Sequence, residues 1–202
     1  MLRFEDGRVE VHTVVVGPLS TNVYIPRCRR TGASVLIDAA DDGPQLVGLC
    51  RTLGVDKVLE THGHRDHIAA VPAVRAAGYR VGIAAGDAHN LDGHDFELVD
   101  GEELEVGDLR LRTIATPGHT PGSTSFLLEG NPPLLFGGDT LFPGGPGATR
   151  PQNGGDFPTI IRTLRERLFT LDPDTIVMPG HGADTTIGAE RPHLQEWIDR
   201  GW

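Results

Sequence analysis

Three histidines and an aspartate fall within six consecutive residues, His62-Gly63-His64-Arg65-Asp66-His67, and no other segment restricts the fold so tightly. Before it, Lys57–Glu60 reads as a short strand ending at Thr61. After it, Ile68–Ala77 is rich in Ala and Val and reads as a helix that Gly78 stops. The cluster therefore occupies a strand-to-helix turn. His62 and His64 are two residues apart, so extended backbone points both to one side. Asp66 stands where the helix begins and can cap it. Asp66 and His67 then turn toward the same cavity from another angle.

Three later segments share one pattern, in which a strand ends, a Gly-rich turn follows, and the turn presents one metal-capable side chain. They are Thr116-Pro117-Gly118-His119-Thr120-Pro121-Gly122-Ser123, Phe136-Gly137-Gly138-Asp139-Thr140 and Met178-Pro179-Gly180-His181-Gly182. Glycine permits the close backbone approach that ligand turns need. Imidazole suits zinc and iron, and a carboxylate adds charge neutralisation and can bridge two cations. Seven such groups exceed what one four-coordinate structural zinc uses. They suit two ions about 3.5–4 Å apart that activate a water between them.

The rest of the chain supplies a scaffold. Val9–Val16, Asn22–Ile25 and Ser34–Ile37 read as strands, Asp41–Leu53 as a helix with Leu46, Leu49, Cys50 and Leu53 on one face, and Arg80–Ala84 as a strand. A strand-rich stretch follows: Phe96–Val99, Glu103–Val106, Leu109–Ala115, Ser123–Leu128 and Leu134–Phe136. Phe157–Leu171 reads as an amphipathic helix, Thr175–Met178 as a strand and Ile187–Trp197 as a closing helix. Each half holds several strands and at least one helix. That order predicts an α/β fold of the αββα sandwich type, with two mixed sheets face to face and helices outside. No linker divides residues 1–202, which read as a single domain.

Charge narrows the partners. The net charge of −10 repels phosphate backbones, so the expected partner is a small-molecule substrate rather than nucleic acid. No stretch approaches the roughly 20 apolar residues that cross a bilayer, and the first residues carry no apolar signal region. Cys28 and Cys50 show no CxxC spacing and read as free thiols of a reducing compartment, so the expected location is cytoplasmic. The oligomeric state is not readable from the sequence.

The HxHxDH segment, followed by a lone His, a lone Asp and a lone His in Gly-rich turns, resembles the metallo-β-lactamase superfamily. The likeness runs from Asn22-Val23-Tyr24 through Asp38 to the end of the chain. It implies a site at one edge between the two sheets. It also implies that His62, His64 and His119 hold a first metal, that Asp66, His67 and His181 hold a second, and that Asp139 bridges them. Asp66 and Asp139 are the expected catalytic residues, and Asp38 matches an Asp that supports the ligand loops from behind. The implied cofactors are two divalent ions, zinc first, with iron or manganese also compatible.

Within that superfamily the closest local match is to glyoxalase II-like thioesterases. The turns around His119, Asp139 and His181 all fit that group, as does Thr185–Glu190. The implied substrate is a thioester. One departure stands out: full-length glyoxalase II carries a C-terminal helical domain, and only 21 residues follow His181 here, which expects a short form and leaves the thiol carrier open. Flavin-linked di-iron reductases carry an acidic residue where this chain has His64. A persulfide dioxygenase using one Fe(II) is the alternative, followed by a lactonase and a metal-binding sensor domain without turnover. His12, His89, His94 and His193 lack comparable context and read as surface or packing residues. The Gly144-Gly145-Pro146-Gly147 run reads as a flexible loop beside the site. Trp197 and Trp202 read as packing residues of the C-terminal segment.

Overall fold

The computed structural model describes residues 1–201. A seven-stranded sheet contains β1 (Leu2–Glu5), β2 (Val9–Val16), β3 (Thr21–Cys28), β4 (Ser34–Ile37), β5 (Val55–Leu59), β6 (Arg80–Ile83) and β7 (Phe96–Glu97), in that spatial order. The first four are antiparallel neighbours, and β4 to β7 run parallel. A six-stranded sheet contains β8 (Glu103–Val106), β9 (Leu109–Ala115), β10 (Thr124–Leu128), β11 (Leu134–Gly138), β14 (Ile176–Pro179) and β15 (Thr185–Thr186). Only β11 and β14 pair in parallel within it.

The two sheets pack face to face, as the αββα reading expects. Val35 and Ile37 of β4 and Phe126 and Leu128 of β10 meet in the central core. Their neighbours point outward to helices. Leu36 packs with Leu46 and Cys50 of α1 (Gly43–Leu53) and with Val71 and Val74 of α3 (Val71–Ala76). Leu127 and Leu135 pack with Leu164, Leu168 and Trp197. Strands covered on both faces need apolar residues at consecutive positions. That accounts for the unbroken Val-Leu-Ile and Phe-Leu-Leu runs.

Several elements differ from the sequence reading, and proline accounts for two of them. The helix expected over Ile68–Ala77 is split into α2 (Arg65–Ile68) and α3, because Pro72 sits in the first turn of α3 and has no N–H to continue α2. The closing helix is likewise divided into α5 (Ile187–Glu190), a 3₁₀ turn containing Pro192, and α6 (Leu194–Arg200). The helix α4 (Phe157–Thr163) continues as a π-helical turn over Leu164–Leu168. Asp66 does not cap α2: the capping position is His64, and Asp66 lies in the first turn. The Gly144–Gly147 run is not a free loop. Gly145–Pro146 (β13) pairs with Leu141–Phe142 (β12) in a small ribbon. Trp197 is buried against Phe169, whereas Trp202 lies outside the described residues. Both cysteines are free and buried. No helix among the described residues is long and apolar enough to cross a membrane.

Candidate metal centre

Strand direction brings the metal-capable residues to one place. Strand β9 is antiparallel to β10, β10 to β11, and β14 is parallel to β11, so β9, β11 and β14 all run the same way. The residues just past their C-terminal ends are His119, Asp139 and His181, and these leave the sheet at one edge. The first sheet contributes at the same edge. The Thr61 carbonyl, just after β5, accepts from the Thr124 N–H at the start of β10 (2.8 Å). From β3, the Asn22 amide donates to the Pro179 and Gly182 carbonyls (3.0 and 3.1 Å), and the Tyr24 hydroxyl donates to Pro179 (2.8 Å).

All seven predicted side chains are thereby gathered. They form three overlapping groups: His62, His64 and His119; His62, His67 and Asp139; and Asp66, His67 and His181. The inward atoms are close. His64 Nδ1 lies 2.9 Å from His119 Nε2, and His67 Nε2 lies 3.2 Å from His181 Nε2. Asp66 Oδ2 is 3.2 Å from His181 Nε2, and Asp139 Oδ2 is 3.5 Å from both His119 and His181. Ligands about 2.0–2.1 Å from a tetrahedral ion stand about 3.3 Å from one another. The observed spacings bracket that value.

Each imidazole has its other nitrogen fixed from outside. His67 Nδ1 donates to Asp38 (2.7 Å), His119 Nδ1 to the Ala148 carbonyl (2.7 Å), and His181 Nδ1 to the Leu19 carbonyl (3.0 Å). His64 is reversed, with Nε2 donating to the Asn153 carbonyl (3.1 Å). His62 Nδ1 donates to Thr61 Oγ1 (3.0 Å), whose own proton goes to Asp38 (2.8 Å). Such contacts set the tautomer and aim the remaining lone pair, here at the cavity.

Within the cluster, two buried atoms have no hydrogen-bond partner: His62 Nε2 and Asp139 Oδ1. A buried polar atom left without a partner is costly, and where it lies among other metal-capable groups a cation can satisfy it. Gly180 leaves the space for one. A Cβ there would stand 2.2 Å from Asp139 Oδ1 and 2.6 Å from His67 Cε1. The residues present therefore fit a cationic occupant. Without a cation, hydrogen bonds to Asp139 and Asp66 push His181 up to about 10. The bond from His181 chiefly brings Asp66 down to about 2. Burial pushes His62 and His119 below the ordinary imidazole range, so both present neutral lone pairs.

Two further carboxylates hold the site, and the sequence reading did not single them out. Asp87 is buried, accepts from the Gly63 N–H and the Thr120 hydroxyl through Oδ2 (2.7 and 2.6 Å), and from the Gly122 N–H through Oδ1 (2.8 Å). It ties the loop of His62 and His64 to the loop of His119. Glu60 is fully buried, accepts from the Ala39 N–H (3.2 Å), and its carboxyl is pushed well above the usual range first by burial and then by the neighbouring charge of Asp38. Asp38 itself adopts φ +66°, a left-handed conformation rare for a residue with a side chain and typical of functional sites. His12, His89, His94 and His193 lie outside the three groups.

Comparison with known proteins gives a consistent result. The sequence model of the Metallo-beta-lactamase superfamily matches residues 16–181. A hydroxyacylglutathione hydrolase of Rhodospirillum rubrum is 36% identical over 177 residues, which cover 86% of this chain and 66% of that protein. The chain thus spans just under two thirds of that relative. Among solved structures, BLEG-1 B3 metallo-beta-lactamase superimposes with a TM-score of 0.81 at 29% identity, over 91% of this chain and 97% of that one. TTHA1623 in a di-iron-bound form gives a TM-score of 0.75 at 30% identity, over 89% and 96%.

Proposed function

The chain belongs to the metallo-β-lactamase superfamily, and from that membership we propose that it is a metallohydrolase that uses two divalent ions to cleave thioesters. The observation that carries the metal reading is the pair of buried cluster atoms without a hydrogen-bond partner, His62 Nε2 and Asp139 Oδ1, with the glycine at 180 leaving room beside Asp139. His62, His64 and His119 would hold one ion and Asp66, His67 and His181 the other, with Asp139 between them. Five imidazoles and two carboxylates suit zinc first, and also iron or manganese. The related TTHA1623 has been solved with two irons.

When bound, such ions bring the pKa of a water down toward about 7 and polarise a carbonyl. The chain's own residues prepare the site for this. Asp38, Thr61 and the carbonyls of Leu19, Ala148 and Asn153 hold each ring proton on the side facing away from the cavity. Asp139 remains a carboxylate: burial opposes this, but the hydrogen bond from His181 and the surrounding imidazoles outweigh it. Its charge then offsets that of the cations.

Thioester hydrolysis is supported by the likeness to the Rhodospirillum rubrum hydroxyacylglutathione hydrolase. It also suits the chemistry of the cluster. A departing thiolate has a conjugate acid of pKa near 8.5 and leaves without a strong general acid. The ring N–H groups of the cluster are all committed to oxygen acceptors. The test is elemental analysis of protein purified without added metal, followed by turnover on thioesters, esters and lactones. Two ions per chain and a preference for thioesters are the expected result. A single iron per chain, with oxygen uptake on a persulfide, would replace this reading with the dioxygenase one.

A further inference from the structure

The seven metal-capable residues do not account for a groove of about 1100 Å³ that includes only one of them, His64, in its lining. It is lined by Gly63, His64 and Arg65, by residues of α3, and by Tyr79 and Arg80, with Asn90 close to Gly63. Pockets for whole small molecules typically measure about 300–1,000 Å³. This one is large enough for a carrier of cofactor size, well beyond an acyl group.

Three arginines line the groove, on a chain whose net charge is −10. Arg75 is engaged by Asp95 through two hydrogen bonds (3.1 and 3.2 Å). The Asp95 carboxylate also accepts from the Val81 N–H (2.9 Å), which leaves it little free acceptor capacity. Arg80 lies over the Phe96 ring, 5.2 Å from its centroid. Arg65 is exposed and makes no hydrogen bond or ion pair among the described residues. It stands in sequence between two metal-capable residues, His64 and Asp66. Asp92 is the remaining acid on the rim. Between the arginines, Ile68, Val71 and Pro72 provide an apolar strip. The groove therefore offers an unpaired guanidinium beside the metal centre, an apolar strip, and further guanidinium charge.

We propose that this groove receives the anionic thiol-carrier portion of the substrate, with Arg65 as its first charged contact. The proposal rests on the thioesterase reading. The recognised chemistry is an extended arm bearing phosphate or carboxylate groups, and coenzyme A and glutathione are its two sources. Guanidinium pairs with either group through parallel N–H donors.

The test compares one acyl group carried on coenzyme A, on glutathione and on N-acetylcysteamine, the last of which has no charge. In Arg65→Glu, kcat/KM on the groove's carrier falls at least about tenfold relative to the neutral carrier, the equivalent of about 1.4 kcal/mol. A smaller fall follows Arg80→Glu. Whichever charged carrier loses its advantage identifies the source. Arg110→Glu, at the opposite end of the sandwich, serves as the control for general charge effects. An unchanged ratio in Arg65→Glu overturns the groove while thioester hydrolysis stands. If no thioester is cleaved, the parent reading fails, and titration with desulfo-coenzyme A and S-methylglutathione decides the groove alone. Saturable binding that Arg65→Glu abolishes supports it, and no saturable binding overturns it.

Discussion

The two triplets of metal-capable residues lie side by side yet are built on opposite electrostatic plans. His62, His64 and His119 form a triplet of imidazoles only. Two of the three are buried, and burial keeps those two neutral. Their ring protons go to a hydroxyl and to backbone carbonyls. Asp66, His67 and His181 are more open on average and richer in charge, with Asp66 in the triplet and Asp38 directly behind His67. Here carboxylates push the imidazoles up, and His67 rises despite its burial because Asp38 outweighs it. A neutral triplet attracts a cation with lone pairs alone. A charged one already holds a proton where the cation would go. Asp139 touches both, 3.5 Å from His119 and from His181.

That shared position gives the largest predicted effect. Asp139→Ala removes the carboxylate common to both triplets. Turnover should fall at least about a thousandfold, the several kcal/mol that charge stabilisation by a metal contributes. Metal analysis of the same variant separates lost ions from lost activity. Near-native turnover with full metal content would sink the assignment of Asp139.

The supporting carboxylates divide the two triplets more finely. Asp87→Ala strips the acceptor from the Gly63 and Gly122 N–H groups and loosens only the imidazole triplet. Asp38→Ala releases His67 directly and His62 only through Thr61, so it should disturb the charged triplet more than the imidazole one. Loss of such an outer partner typically weakens metal binding about 10–100-fold. Stepwise titration against a chromophoric chelator should show a different site weakened most in each variant. If both variants weaken both sites equally, the triplets act as one unit and the contrast fails. Asp87→Asn keeps one acceptor oxygen and should recover part of the loss.

The difference between the ligands and their supports also explains what the sequence made legible. The seven ligands announce themselves because each is a His or Asp beside glycine or at a strand-to-helix turn, a combination with a local reason. Asp87 also stands beside a glycine, in Ala84-Ala85-Gly86-Asp87, so that mark alone does not reveal what it does. Its role exists only once β6 and the loop of His119 meet, and no spacing encodes that meeting. Glu60 read as the last residue of a strand, and its burial follows from the approach of Asp38. The longer strands of both sheets were legible from their apolar runs, whereas β15, two threonines, was not. The helix over Ile68–Ala77 was not divided correctly, since its periodicity continues across Pro72 while its hydrogen bonds do not. β1 escaped although Leu2–Glu5 alternates apolar and charged residues, because the run is only four residues long and largely exposed.

The smallest predicted effect is the most direct probe of the two plans, because it uses protons in place of substitutions. In the metal-free protein His181 is raised to about 10, so between pH 7 and 9 it carries a proton that an incoming ion must expel. Metal binding then releases that proton, and affinity rises with pH. The slope is at most about tenfold per pH unit, and it flattens as pH passes about 10. His62 and His119 are lowered, so neither has a proton to release in this window. A His64→Ala variant leaves the charged triplet whole, and an Asp66→Ala variant leaves the imidazole triplet whole. Chelator competition at pH 7, 8 and 9 should give a rising affinity in the first and a flat one in the second. Calorimetry in two buffers of different ionisation enthalpy should find proton release only in the first. Equal slopes would mean that the proton is shared across the cluster through Asp139, and that the two triplets titrate as one coupled group.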